Sequence, residues 1–291
     1  VQFMKWRWPD DAIEILSASI LDVQAWKDSM TKATMAPKTL NRRVSSLSSF
    51  FKFLAGAAAE LRLPITVPNP AHAQFISRES SDARDETKAL TATRARQLIG
   101  LPTGESIIDY RDRAILRFFL YSGARIGTAC RLKVSDFHYE DSGQATIRLH
   151  EKGDKHRTIG LHFQAGHAIH EYLAKAQLSS GPLFRARAGG RSQRLSDRAM
   201  DEATLYRVVQ EYLSQLPGAM KETLQPDGSR MRTCIFTPHS LRATTATLLL
   251  DAGVDIVKVK DLLGHRHITT TQIYDKRRRA VADSASHDVP I

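Results

Sequence analysis

Apolar residues near the start of the chain recur at helical spacing. Ile13, Leu16, Ile20 and Val23 make one series, and Leu40, Val44, Leu47, Phe50, Phe51 and Leu54 make a second. Both follow the three- and four-residue steps that line one face of an α-helix. They predict a small helical domain across residues 11–63. The second helix has Thr39 near its start, and its other face carries Asn41, Arg42, Arg43, Ser45, Ser48, Ser49 and Lys52. That face suits contact with phosphates, the alternative being an ordinary solvated surface.

Pro64, Pro68 and Pro70 close this region, because proline lacks the amide proton that continues a helix. Residues 77–89 are polar, charged and nearly devoid of large apolar side chains, the composition of a linker. Helical periodicity resumes over 91–99 and 110–121, with Ala114, Ile115, Phe118 and Phe119 apolar in the latter. Between 144 and 162 the pattern becomes that of strands: QATIRLH and RTIGLH flank EKGDKH, whose Gly-Asp pair suits a tight turn. A β-hairpin is predicted there. Helix-like stretches return over 201–216, 239–250, 255–263 and 269–279, and no repeat or low-complexity tract emerges. The expected second domain is mainly α with a small antiparallel β-sheet, an α+β arrangement.

Composition narrows the function classes. At 291 residues and 42% hydrophobic content, the chain can bury two ordinary cores. Lys and Arg outnumber Asp and Glu by 42 to 31, a formal charge of +11, which suits a polyanion such as nucleic acid, although basic balance has other causes. No run approaches the roughly 18 apolar residues of a membrane span, and the opening VQFMKWRWPDD lacks a signal peptide's apolar core. A cytoplasmic, nucleoid-associated protein is expected. Cys130 and Cys234 are far apart and outside any C-x-x-C spacing, so reduced thiols are expected rather than a zinc site or a disulfide. Val at position 1 leaves room for a further N-terminal module.

Four segments carry the chemistry: YSGARIGTACRL around Arg125, the EKGDKHR turn, TPHSLRATTATLLL around His239, and LLGHRHITTTQIY ending at Tyr274. In order and spacing they resemble the tyrosine recombinase (phage integrase) family, including a tyrosine nine positions after the histidine of a Gly-His pair, here His265 and Tyr274. The resemblance covers residues 89–279, and more loosely the helical region before them. It implies that Arg125, Lys152, His239, Arg242 and His265 surround a phosphodiester while Tyr274 attacks it. It also implies a helical core-binding (SAM-like) domain over 1–78, a linker over 79–89, a catalytic domain over 90–279 and a tail over 280–291, closing as a C-shaped clamp on DNA. One departure is visible: many members carry an acidic residue three positions after the first arginine, where this chain has Thr128.

Elementary chemistry supports the same residues. Attack on a phosphodiester builds charge on the phosphoryl oxygens, and guanidinium groups such as those of Arg125 and Arg242 offset it with paired planar hydrogen bonds. His239 and Arg242, three apart after Pro238, fall on one face near a helix start, though an isolated H-x-x-R arises often by chance. A phenol of ordinary pKa, roughly 10, needs a base or a strongly positive pocket. His239 is the favoured proton acceptor, with His265 hydrogen-bonding a non-bridging oxygen, and the two roles can be exchanged. The leaving 5′ oxygen needs a proton, which a hairpin-tip lysine can supply; the family resemblance favours Lys152, with Lys155 as the alternative. Arg42, Arg43, Ser45, Lys52 and Lys155 are candidate DNA contacts.

His267 follows His265 without carboxylate or thiol company at metal-ligand spacing, so no metal is expected. The AGG at 188–190 lacks a phosphate-loop context, so neither ATP nor any other cofactor is expected. The expected function is a site-specific DNA recombinase or integrase serving a mobile element. The resemblance implies that it works through a 3′-phosphotyrosine and a Holliday junction, as a homotetramer on two DNA sites, with accessory directionality proteins expected as further partners. The KRRR segment after Tyr274 leads a tail that docks on a neighbouring protomer or frays. A type IB topoisomerase would share the tyrosine and basic pocket but relax arbitrary supercoiled DNA. A non-catalytic DNA-binding regulator would need only basic helices.

Overall fold

Ser19 starts a helix by closing both ends of a capping box: its hydroxyl accepts from the Asp22 amide, and the Asp22 carboxylate accepts from the Ser19 amide at 3.0 Å. The computed structural model describes residues 2–8, 13–79, 87–151, 155–190, 192–224 and 228–275. The chain divides into two compact units, Val1–Glu86 and Thr87–Ile291. In the first, α1 (Gln2–Arg7), α2 (Ile20–Lys32) and α3 (Pro37–Glu60) surround a core of Phe3, Val23, Trp26, Met30, Leu40, Val44, Leu47 and Phe51.

The first apolar series does not form one helix face. The Ser19 cap separates α2 from a short 3-10 turn at Ile13–Ser17, and Leu16 and Ile20 are exposed while Ile15, Ala18, Val23 and Trp26 are buried. Lys27, 5% exposed, donates to the Ser77 carbonyl at 2.9 Å and pairs with Glu79 at 2.7 Å. A buried ammonium is tolerated only with such partners, so the chain leaving this unit is tied to α2.

In the second unit, α4 (Ala92–Gly100), α5 (Ile107–Ser122) and α6 (Ile126–Arg131) lead into a sheet of β1 (Phe137–Tyr139), β2 (Ala145–Glu151) and β3 (Lys155–Gly160). All neighbours are antiparallel, and the β2–β3 register sets Leu149 opposite Arg157 and Glu151 opposite Lys155. There follow α7 (Phe163–Lys175), the paired strands β4 (Arg185–Arg187) and β5 (Leu195–Ala199), α8 (Glu202–Ser214), and the pair β6 (Met220–Leu224) and β7 (Arg230–Cys234). Finally α9 (Pro238–Asp251), α10 (Ile256–Leu263) and α11 (Thr269–Gln272) complete the described chain.

The mainly helical α+β architecture is as expected, with three small antiparallel sheets among the described residues rather than one. α5 runs through the middle against α7 and α9. It begins with a second capping box at Ser106 and Asp109 and ends at Gly123, whose φ of 59° is left-handed. α9 is buried on nearly all sides, so its Thr244 and Thr245 hydroxyls turn back onto the carbonyls of Ser240 and Leu241. The expected helix over 269–279 is corrected over its described part: α11 spans Thr269–Gln272 and Tyr274 follows in a turn, while 276–279 lie outside the described residues. Three successive threonines, restricted at χ1 by β-branching, make a weak helix former.

Candidate active site

Two left-handed glycine turns frame the site. At the end of α5, Gly123 allows the chain to reverse toward Arg125, and a side chain there would come within 2.5 Å of Leu263. At the end of α10, Gly264, with φ of 65°, delivers His265, and a Cβ there would meet the Glu151 carboxylate at 2.5 Å. Glycine meets both requirements, the positive φ and the close approach.

Arg242 joins the two turns. Lying on α9 and only 2% exposed, it donates to the Gly123 carbonyl at 2.6 Å and to the Leu263 carbonyl at 2.7 Å. Burial, followed by the neighbouring Arg125 charge, pushes its pKa down to about 10, so it stays cationic at neutral pH. Arg125 caps the start of α6 with extended backbone, its side chain half exposed and its guanidinium 3.7 Å from Glu151. Together with Gly127, Arg131, Glu151, His265 and Arg266 it lines a cleft of about 720 Å³.

His239 stands one residue after Pro238 in the first turn of α9, three positions before Arg242. Burial and then the Arg242 and Arg125 charges hold its imidazole below the usual range. His265 is 7% exposed, with Nδ1 2.8 Å from the buried Thr271 hydroxyl. Desolvation, then Arg242 and Arg125, push its pKa down to about 4. Both rings are therefore neutral at pH 7. The His265 tautomer that lets Thr271 donate to Nδ1 carries its proton on Nε2.

Tyr274 lies nearly parallel to the His265 ring, 11° between planes and 6.3 Å between centroids. It is 7% exposed and packs with Ala243, Ala246, Leu250, Val259 and Leu263. Burial raises its pKa above the usual value, against the pull of Arg242 and Arg125. The positive pocket anticipated from sequence is present, but desolvation outweighs it, so the resting phenol is protonated and a base is needed.

Arg125, His239, Arg242, His265 and Tyr274 thus belong to one constellation. Lys152, at the hairpin tip, lies outside the described residues, as does the Lys155 side chain. In the other unit, Arg42, Ser45 and Lys52 are exposed along α3. Arg43 points elsewhere, half-buried and donating to the Met30 sulfur at 3.8 Å. Ser48 is buried and accepts from Asn69, and Asn41 is engaged with Glu79, so the face expected to be uniformly polar and open is narrower.

Sequence reasoning missed Glu151, Arg157 and Thr271. Arg157 donates to Glu151 at 3.0 Å and to the Asp261 and Leu262 carbonyls at 3.1 and 2.6 Å. No periodicity marks these partners; the only available signal was the position of Glu151 directly before Lys152.

A family model described as phage integrase family matches residues 88–280. Among curated proteins, the tyrosine recombinase XerC of Thermodesulfovibrio yellowstonii is 31% identical over 81% of this chain and 70% of its own length. The XerC of Mycobacterium sp. strain JLS is 30% identical over 97% of this chain and 87% of its own length. Among solved structures, the Tn1549 transposon integrase in complex with transposon right end DNA aligns over 99% of this chain and 90% of that one. Its TM-score is 0.65 at 16% identity. XerH bound to a palindromic difH substrate, a post-cleavage complex, aligns over 89% and 70%, with TM-score 0.62 at 19% identity. At such identities the two structures speak to the fold.

Proposed function

The chain belongs to the phage integrase family, and from that premise we propose that Tyr274 is the nucleophile and that Arg125, Arg242, His239, His265 and Lys152 serve the scissile phosphate. As a tyrosine recombinase it is a DNA strand-exchange enzyme acting in site-specific recombination. One observation carries the residue assignment. The buried Arg242 guanidinium ties together the turns that present Arg125 and His265, with Tyr274 stacked on that histidine.

The step follows from these positions. Neutral His239 accepts the phenol proton, the Tyr274 oxygen bonds to phosphorus, and the P–O5′ bond breaks as Lys152 protonates the departing sugar oxygen. Arg125 and Arg242 hold two phosphoryl oxygens, where charge already fixed in place offsets the negative charge that develops in the transition state. Nε2–H of His265 donates to the same group. The product is a 3′-phosphotyrosine and a free 5′ hydroxyl. A 5′ hydroxyl from a partner duplex reverses the step, and the ester conserves the bond energy, so no nucleotide cofactor is required.

Exchange between two duplexes cuts four strands, and each protomer offers one Tyr274, which supports four protomers on two sites by way of a Holliday junction. The helical unit, with Arg42, Ser45 and Lys52 on α3, serves as the second DNA-contacting domain, its cations adding salt-dependent phosphate contacts. We further propose that the protein works on nucleoid DNA, in integration or excision of a mobile element under accessory directionality proteins, a setting that this chemistry fits. The Tyr274→Phe variant is expected to bind DNA as the wild type does and to form no SDS-resistant protein–DNA adduct. An adduct that persists in that variant would refute the nucleophile.

A further inference from the structure

Hydrogen bonds and one longer ion-pair contact, that of Arg125 with Glu151 at 3.7 Å, close into a ring around the site. Arg157 on β3 and Arg242 on α9 divide the last three carbonyls of α10 between them: Asp261 and Leu262 accept from Arg157, and Leu263 accepts from Arg242. Arg242 continues to the Gly123 carbonyl, two residues before Arg125. Arg125 faces the Glu151 carboxylate, which accepts from Arg157. The end of β2 is held from a second side, since Arg131 donates to the His150 carbonyl at 2.9 Å.

We propose that Glu151 and Arg157 are positioning residues for strand cleavage: Glu151 holds the Arg125 guanidinium toward the phosphate, and Arg157 locks Glu151 to the α10 turn that presents His265. This rests on the assignment of Arg125, His265 and Tyr274 made above. Three guanidiniums, those of Arg125, Arg157 and Arg242, share this small volume, and Glu151 is the carboxylate that both Arg125 and Arg157 face. Position 128, one helical turn beyond Arg125, is a buried, uncharged threonine. Arg125 is half exposed even beside Glu151, so without that carboxylate its side chain is free to sample rotamers, at a cost in orientation at each turnover. Glu151 also directly precedes Lys152 in the chain.

The test uses the full chain and a nicked duplex bearing the sequence that the wild type itself captures covalently from a random-sequence duplex library. Single-turnover cleavage at saturating DNA separates orientation from binding. Glu151→Gln keeps the shape and removes the charge. It is expected to cleave about 10- to 100-fold more slowly, the range typical when a group that orients a reactive ligand is lost, with DNA affinity little changed. Glu151→Asp is expected to recover much of the rate. Arg157→Lys keeps the charge but loses the fork that spans carboxylate and carbonyls, and is expected to be slowed as Glu151→Gln is. A wild-type rate in Glu151→Gln or Arg157→Lys, or equal slowing by Gln and Asp at position 151, overturns the proposal. If the wild type captures no duplex, it is the assignment of Tyr274 chemistry that fails instead.

Discussion

His265 shows how the site sets its own protonation. A free imidazole takes a proton near 6.5, whereas burial beside two arginines pushes His265 down to about 4. Between those values the unfolded chain binds a proton that the folded chain refuses, so acidification through this window favours unfolding. The contribution is roughly 3 kcal/mol at most, from about 1.4 kcal/mol per pKa unit. Thermal unfolding followed from pH 7 to pH 4 should show stability falling as pH drops, and His265→Asn should flatten that slope; an unchanged slope would contradict the buried neutral ring. The same neutrality leaves Nε2 of His265 ready to donate, and the lowered pKa of His239 suits it to the proposed role of base. These residues were legible in the sequence because each sits in a segment whose order and spacing are diagnostic together. Glu151, Arg157 and Thr271 were not, since their partners lie on other elements: Arg157 reaches α10 more than a hundred positions away.

Glycine turns, more than the helices themselves, set the geometry among elements. Gly123 ends α5 with left-handed backbone, leaves no room for a side chain beside Leu263 and gives its carbonyl to Arg242. Gly123→Ala is expected to lose about 1–2 kcal/mol from backbone strain alone, more from the contact with Leu263, and to slow cleavage by shifting Arg242. Chemical denaturation and the adduct-forming rate check both, and wild-type values in both would show that the turn tolerates a side chain. Helices α5 and α10 were legible because caps and apolar spacing agree, and α9 through Pro238 at its start. α7 was missed: its core positions include the small residues Ala165, Gly166 and Ala168, and histidines interrupt its apolar stripe. The β4–β5 and β6–β7 pairs were missed because their strands are largely uncovered and rich in arginine and other polar residues. Without a buried face there is no alternation to detect.

For the whole molecule, the charge of +11, the phage integrase match and the clustering of five sequence-selected residues converge on DNA strand exchange. The two main clusters of buried residues lie on either side of a stretch of low apolar content, and a chain without large apolar side chains cannot continue a core. The direct test of phenol attack is to trap the covalent complex on the captured duplex, digest it with trypsin and nuclease, and locate the nucleotide by mass spectrometry. The adduct is predicted on the peptide spanning residues 267–276, at Tyr274. A nucleotide attached to any other side chain, or a cleaved strand with no attachment, would contradict it.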